Sequence, residues 1–101
     1  MKPRKVKQGT LVRVFWKDAC STGDRWRPLS AFEDAATNLL PIGSAGYVVH
    51  SDKESLTLSS SIAANDCKDV HGNISIPWGW ISAFEELPKK YHRNSLPKGL
   101  R

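Results

Sequence analysis

Residues 10–16 read TLVRVFW, apolar at nearly every position and rich in β-branched and aromatic side chains, with Gly9 before the run and Asp18 just after it. So short a run between breakers suits a β-strand better than a helix. Its near-continuous apolar character predicts a central strand covered on both faces. A chain of 101 residues gives room for one domain around such a strand. With 40% hydrophobic residues and four tryptophans it can build a core, so wholesale disorder is not expected.

The remaining segments repeat the pattern of short strands and polar connections. Residues 17–27 (KDACSTGDRWR) form a polar loop in which Ser21, Thr22, Gly23 and Asp24 are turn formers. Ser30 and Glu33 fit a capping box and predict one short helix over about residues 31–37, too short to persist without packing through Phe32. Residues 45–50 (AGYVVH) and 56–62 (LTLSSSI), joined by the polar turn Ser51-Asp52-Lys53-Glu54, predict a hairpin. A second polar loop spans 63–72, and a fourth strand covers 73–77 with Ile74 and Ile76 inward. Pro77-Trp78-Gly79 must end that strand, because proline cannot donate to a central ladder. Residues 80–87 form a last strand or a short helix.

The expected organisation is a disordered basic arm over 1–9, an all-β domain with one short helix over 10–87, and a basic tail over 88–101. Charge follows the same division. The net charge of +5 places nine of the 15 Lys and Arg residues in the two tails and leaves six against ten acidic residues in the body. Basic tails on an acidic body argue against a nucleic-acid face on the fold itself. The tail residues Lys2, Arg4, Lys5, Lys7, Lys89, Lys90 and Arg93 remain the candidates for weak phosphate contacts.

No apolar run is long enough to span a bilayer, and the basic start is followed by a strand-length patch rather than a signal-peptide core, so a cytoplasmic protein without membrane contact is expected. Cys20 and Cys67 make no disulfide framework and are expected as free thiols. Cys67 and His71 stand in a C-x₃-H spacing to which Cys20 and His50 could add two ligands, but a zinc finger shows two tight ligand pairs and this chain shows one. No metal or other cofactor is expected. Catalysis is not expected either, for there is no nucleophile elbow and no phosphate loop. The neighbouring carboxylates Glu33-Asp34 and Glu85-Glu86 do not share a face.

Binding is the remaining class, and the aromatic residues carry it. Trp16 lies within the first strand and reads as core. Trp26 lies between Arg25 and Arg27 in a polar loop that does not itself require a large apolar side chain. Trp78 and Trp80 flank Gly79 at the break before the last strand. If Trp26, Tyr47 and one of Trp78 or Trp80 meet, Arg25 and Arg27 would edge an aromatic surface. Such a surface suits a flat ring carrying phosphate, and equally a protein hot spot.

The segment 72–81 (GNISIPWGWI) resembles the end of SH3-like barrels, in which a strand ends in Ile-Pro, a one-turn 3₁₀ helix follows, and an aromatic-aliphatic pair opens the final strand. The resemblance implies a small five-stranded SH3-like barrel with the long first loop in the place of the RT loop. The acidic and aromatic residues that signalling SH3 domains carry there are absent; Trp16-Lys17-Asp18-Ala19 stands instead. Over about 10–87, the set Val12, Val14, Trp16, Asp18, Ala19, Trp26, Gly46, Tyr47, Val49, Ile76 and Pro77 is similar to small uncharacterised bacteriophage and prophage proteins. That likeness implies a viral or prophage accessory protein, and with the aromatic residues it gives the expectation of a non-catalytic binding protein acting on a host component. It would bind a host protein or, as a possible homo-oligomer, sequester a nucleotide-like signal against a host defence. The alternatives are a nucleic-acid-associated accessory protein working through its basic tails, and a virion structural adaptor.

Overall fold

Strand β1, Leu11–Asp18, alternates buried and open positions along its length: Val12, Val14 and Trp16 turn inward, and Arg13, Phe15 and Lys17 turn outward. In the computed structural model, which describes residues 1–19, 26, 28, 39–63 and 69–92, four further strands follow. They are β2 (Leu40–Ser51), β3 (Ser55–Ile62), β4 (Val70–Pro77) and β5 (Ile81–Glu86). All pair antiparallel in one five-stranded sheet of order β4-β3-β2-β1-β5, so the fold is small and all-β. The only helical turns among the described residues are two 3₁₀ turns, Trp78–Trp80 and Lys89–Tyr91. The short helix expected over 31–37 lies outside the described residues. No helix among those described is long and apolar enough to cross a membrane.

The expectation that the first strand is covered on both faces is corrected: Phe15 is 44% exposed and Arg13 reaches across the open face to pair with Glu85 on β5. The period-two pattern of a sheet with one core face therefore holds in β1. Similarly Ile76 is buried, but Ile74, expected inward, is exposed on the outermost strand.

Strand β2 is shared between the two halves of the sheet. Its first part pairs with β1 from Leu40 to Tyr47, and its last part pairs with β3 from Tyr47 to Ser51. A bulge at Val49, where the register with β3 shifts, accompanies this change of partner. Gly46 lies at the crossing: a Cβ there would stand 2.7 Å from the Ser59 carbonyl oxygen and 3.2 Å from the Leu58 Cβ. Gly46→Ala is therefore expected to cost about 1–3 kcal/mol by overpacking against backbone that cannot yield, measured by urea unfolding.

The core is one cluster of Val12, Val14, Trp16, Val48, Leu56, Leu58, Ile76, Trp78 and Ile81. Trp78, in the 3₁₀ turn, ties the β2–β3 turn to it by two hydrogen bonds. Its indole Nε1 donates to the Asp52 carbonyl at 2.9 Å and its amide donates to the Glu54 carbonyl at 3.1 Å, which anchors the β2–β3 turn. Within that turn the Asp52 carboxylate accepts from the Glu54 and Ser55 amides at 2.8 and 2.9 Å, an Asx turn of the usual kind.

The arm over residues 1–9, expected to be disordered, instead lies against the body. Gly9 donates to the Val48 carbonyl, Gln8 to the Val49 carbonyl, and the Met1 amine to the Trp78 and Ile81 carbonyls. Ser51 donates to the Arg4 carbonyl at 2.6 Å, while Met1 and Val6 pack against the core. The physical reason is legible in the arm itself: two apolar residues among its cations, Met1 and Val6, find apolar cover against the core.

Asp52 gives the turn a pH signature. The Ser55 amide first, then the Glu54 amide and the His50 side chain, hold its carboxyl below the ordinary 3.8. A depressed folded-state pKa adds stability above the unfolded value and loses it as pH falls through the folded one. The stability gap between the protein and its Asp52→Ala variant is thus expected to be level near neutrality. It should narrow below about pH 4, read from urea midpoints.

Candidate functional site

The pairing of β1 with β2 sets Asp18 against Leu40 and Lys17 against Pro41, so the two ends of the long first connection, Ala19 and Leu39, emerge together. Beside them β5 begins at Ile81, paired with Trp16. Between these elements lies an open groove of about 380 Å³, lined by Lys17, Ala19, Leu39, Gly79, Trp80, Ile81 and Ser82. Leu40, at the same strand end, is also exposed.

Trp80 is the largest side chain of the groove and is 46% exposed. Its ring stacks on that of Trp16 with centroids 6.2 Å apart and planes 17° from parallel. Trp16 is itself fixed, buried and donating from Nε1 to the Ser44 hydroxyl at 3.0 Å. A rigid indole therefore backs an accessible one, which gives Trp80 a defined pose with its other surroundings open. Ser82 is the extra residue of a bulge in β5, and its hydroxyl donates to the Phe15 carbonyl at 3.1 Å. Gly79 opens the groove further, because a Cβ there would meet nothing within 4 Å.

Of the residues singled out from sequence, the structure places Trp80 in this groove. Trp78 belongs to the core at 2% exposure and offers no surface to a ligand. Tyr47 is half-buried on β2 opposite Leu11, on the face turned away from Trp16, and makes no aromatic contact with Trp80. Trp26 is fully exposed, and Arg25 and Arg27 lie outside the described residues. An aromatic surface joining Trp26, Tyr47 and Trp80 is thus not among the contacts of the described residues. Of the candidate zinc ligands, Cys20 and Cys67 lie outside the described residues, and His50 pairs with Asp52 at 3.1 Å.

Sequence reasoning missed Lys17, Ala19 and Leu39 as groove residues. The signal was present in Leu39-Leu40, two apolar residues where a polar connection ends.

The tail candidates also have positions. Arg4 lies over the Phe84 ring at 5.1 Å and Lys90 over the Tyr91 ring at 5.1 Å. Lys2, Lys5, Lys7 and Lys89 are exposed, and Arg93 lies outside the described residues. No family model, no curated protein and no solved structure matches the chain.

Proposed function

We propose that the chain is a non-catalytic binding domain of phage type, which acts in the host cytoplasm by seating a partner protein in the groove at Trp80. The observation that carries this reading is the half-exposed Trp80 held flat against buried Trp16 at the edge of an apolar groove. Tryptophan set in an apolar pocket with a polar edge is the usual anchor of a protein hot spot. Leu39 and Leu40 extend the apolar area, and Lys17 supplies a charge at its margin. The phage assignment rests on the residue pattern that begins Val12, Val14, Trp16, Asp18 and Ala19. In this reading the sheet, with β2 serving both halves, closes as an SH3-like barrel and presents the groove at one side.

A second reading is favoured by one contact. Lys17 lines the same groove as Trp80, an arrangement in which a nucleobase stacks on the indole and the ammonium meets its phosphate. A homo-oligomer would then complete the enclosure of the ligand.

Gly79 offers a test that spares the fold. Gly79→Gln projects a side chain into open space, so the melting temperature is expected to stay within about 3 °C of the parent. Partner or ligand binding should fall at least about tenfold, a 1.4 kcal/mol loss, by titration calorimetry. Full binding by a correctly folded Gly79→Gln protein would place the binding surface elsewhere.

A further inference from the structure

The basic arm is a fixed part of the surface, and among the described residues its cations have no anionic partner. Among the described residues Arg13 pairs with Glu85 and the His50 ring meets the Asp52 carboxylate, and neither contact involves the arm. Lys2, Arg4, Lys5 and Lys7 are all exposed, whereas Met1 and Val6, between which they lie or which they flank, turn to the core. The arm is held at Val48 and Val49 on one side and at Trp78 and Ile81 on the other, so it crosses the body as a strap on which Lys2, Lys5 and Lys7 are exposed and the Arg4 guanidinium lies over the Phe84 ring at 5.1 Å. Where it passes the β2–β3 turn, Arg4 and Lys5 meet Lys53 around a hollow of about 290 Å³ that Pro3, Ser51 and Asp52 complete. The Asp52 carboxylate in that hollow is already engaged by the Glu54 and Ser55 amides and by His50, which blunts its repulsion of an anion.

We infer that this strap is a track for a nucleic-acid backbone, with a phosphate seated in the hollow between Arg4, Lys5 and Lys53 and further phosphates on Lys2 and Lys7. The surface is separate from the groove at Trp80 and does not depend on it. Cations on a line suit a linear polyanion: residues 2–7 span at most about 17 Å, the rise of about five nucleotides of one strand. An anionic membrane is the poorer fit, because membrane-surface segments pair their cations with apolar side chains free to insert. The apolar residues of this arm are spent on the core. The track is also preorganised, so binding does not have to order a free tail.

The test uses the full chain and a fluorescently labelled single-stranded oligonucleotide of mixed sequence, with anisotropy read over a series of salt concentrations. The partner variant replaces Lys2, Lys5, Lys7 and Lys53 together with glutamine. Binding by the parent should weaken steeply with salt. The variant should bind at least about tenfold more weakly, with a slope of log affinity against log salt shallower by about 3. Its melting temperature, set by a core that those exposed lysines do not enter, should match the parent's. The salt slope of the parent is a second reading that needs no variant. An affinity unchanged in the variant, or a parent whose binding ignores salt, overturns the proposal. So does tighter binding to phosphatidylserine vesicles or to polyglutamate than to the oligonucleotide.

Discussion

Trp78→Ala is expected to lower the stability of this domain by about 3–5 kcal/mol, the range for removal of a buried aromatic side chain. The residue is 2% exposed, and its loss would open a cavity bounded by the core and by Phe84, whose ring lies 6.0 Å away. The cost exceeds apolar burial alone, since the Asp52 carbonyl loses the indole donor that joins the β2–β3 turn to the core. Set against about 5–15 kcal/mol of total stability for a domain of this size, that loss is a large fraction of the whole. Trp78→Phe separates the two contributions: it keeps most of the volume and loses the hydrogen bond, for a cost of about 1–2 kcal/mol. Urea midpoints for both variants measure the difference. A Trp78→Ala protein as stable as the parent would mean that the indole is not part of the core.

Trp80→Ala should give the opposite profile. The ring is half exposed and its stacking on Trp16 is worth about 1 kcal/mol, so the fold should survive with a small fall in midpoint. Binding should instead lose at least about 2 kcal/mol, roughly thirtyfold, as for a hot-spot anchor. Phe15→Ala is the control. That side chain is equally exposed but lies on the opposite face of β1, over Gly43, and its removal should leave binding intact.

The contrast between these two tryptophans shows where sequence reading ran out. Both flank Gly79 after a proline, and nothing in their neighbours distinguishes them. A 3₁₀ turn advances about a third of a revolution per residue, so side chains two apart point to different sides. Which one faces the core depends on how the turn docks. The strands were more legible. Gly9 and Asp18 bracket β1, and Arg13 within it already marked the period-two alternation that the apolar run obscured. The hairpin of β2 and β3 was readable from its alternation and from Asp52 in the turn.

The start of β2 was not, because residues 41–44 (PIGS) look like a connector. They pair with β1 for a reason that only the packing shows: the Phe15 ring lies against Gly43, where a Cβ would stand 3.1 Å from it. The first residues of β4 were hidden for a similar reason. His71 and Gly72 read as loop, yet the Ser59 hydroxyl donates to the His71 carbonyl at 2.8 Å and accepts from its amide. Gly72 takes a φ of 71°, which a glycine allows without strain. The groove escaped for the most physical of reasons. It is made by residues from both ends of a long connection and from the start of β5, and only strand pairing brings these together.

Trp80 is the proposed anchor of a bound partner. The most direct measurement is native mass spectrometry of the protein recovered from the cells in which it acts, run on the parent, Trp80→Ala and Phe15→Ala. A complex is expected in the parent and in Phe15→Ala, and is expected to be absent from folded Trp80→Ala. A polypeptide mass would identify a partner protein, and a nucleotide mass a sequestered ligand. A complex that persists unchanged in Trp80→Ala, or a parent that flies bare, would contradict that role of Trp80.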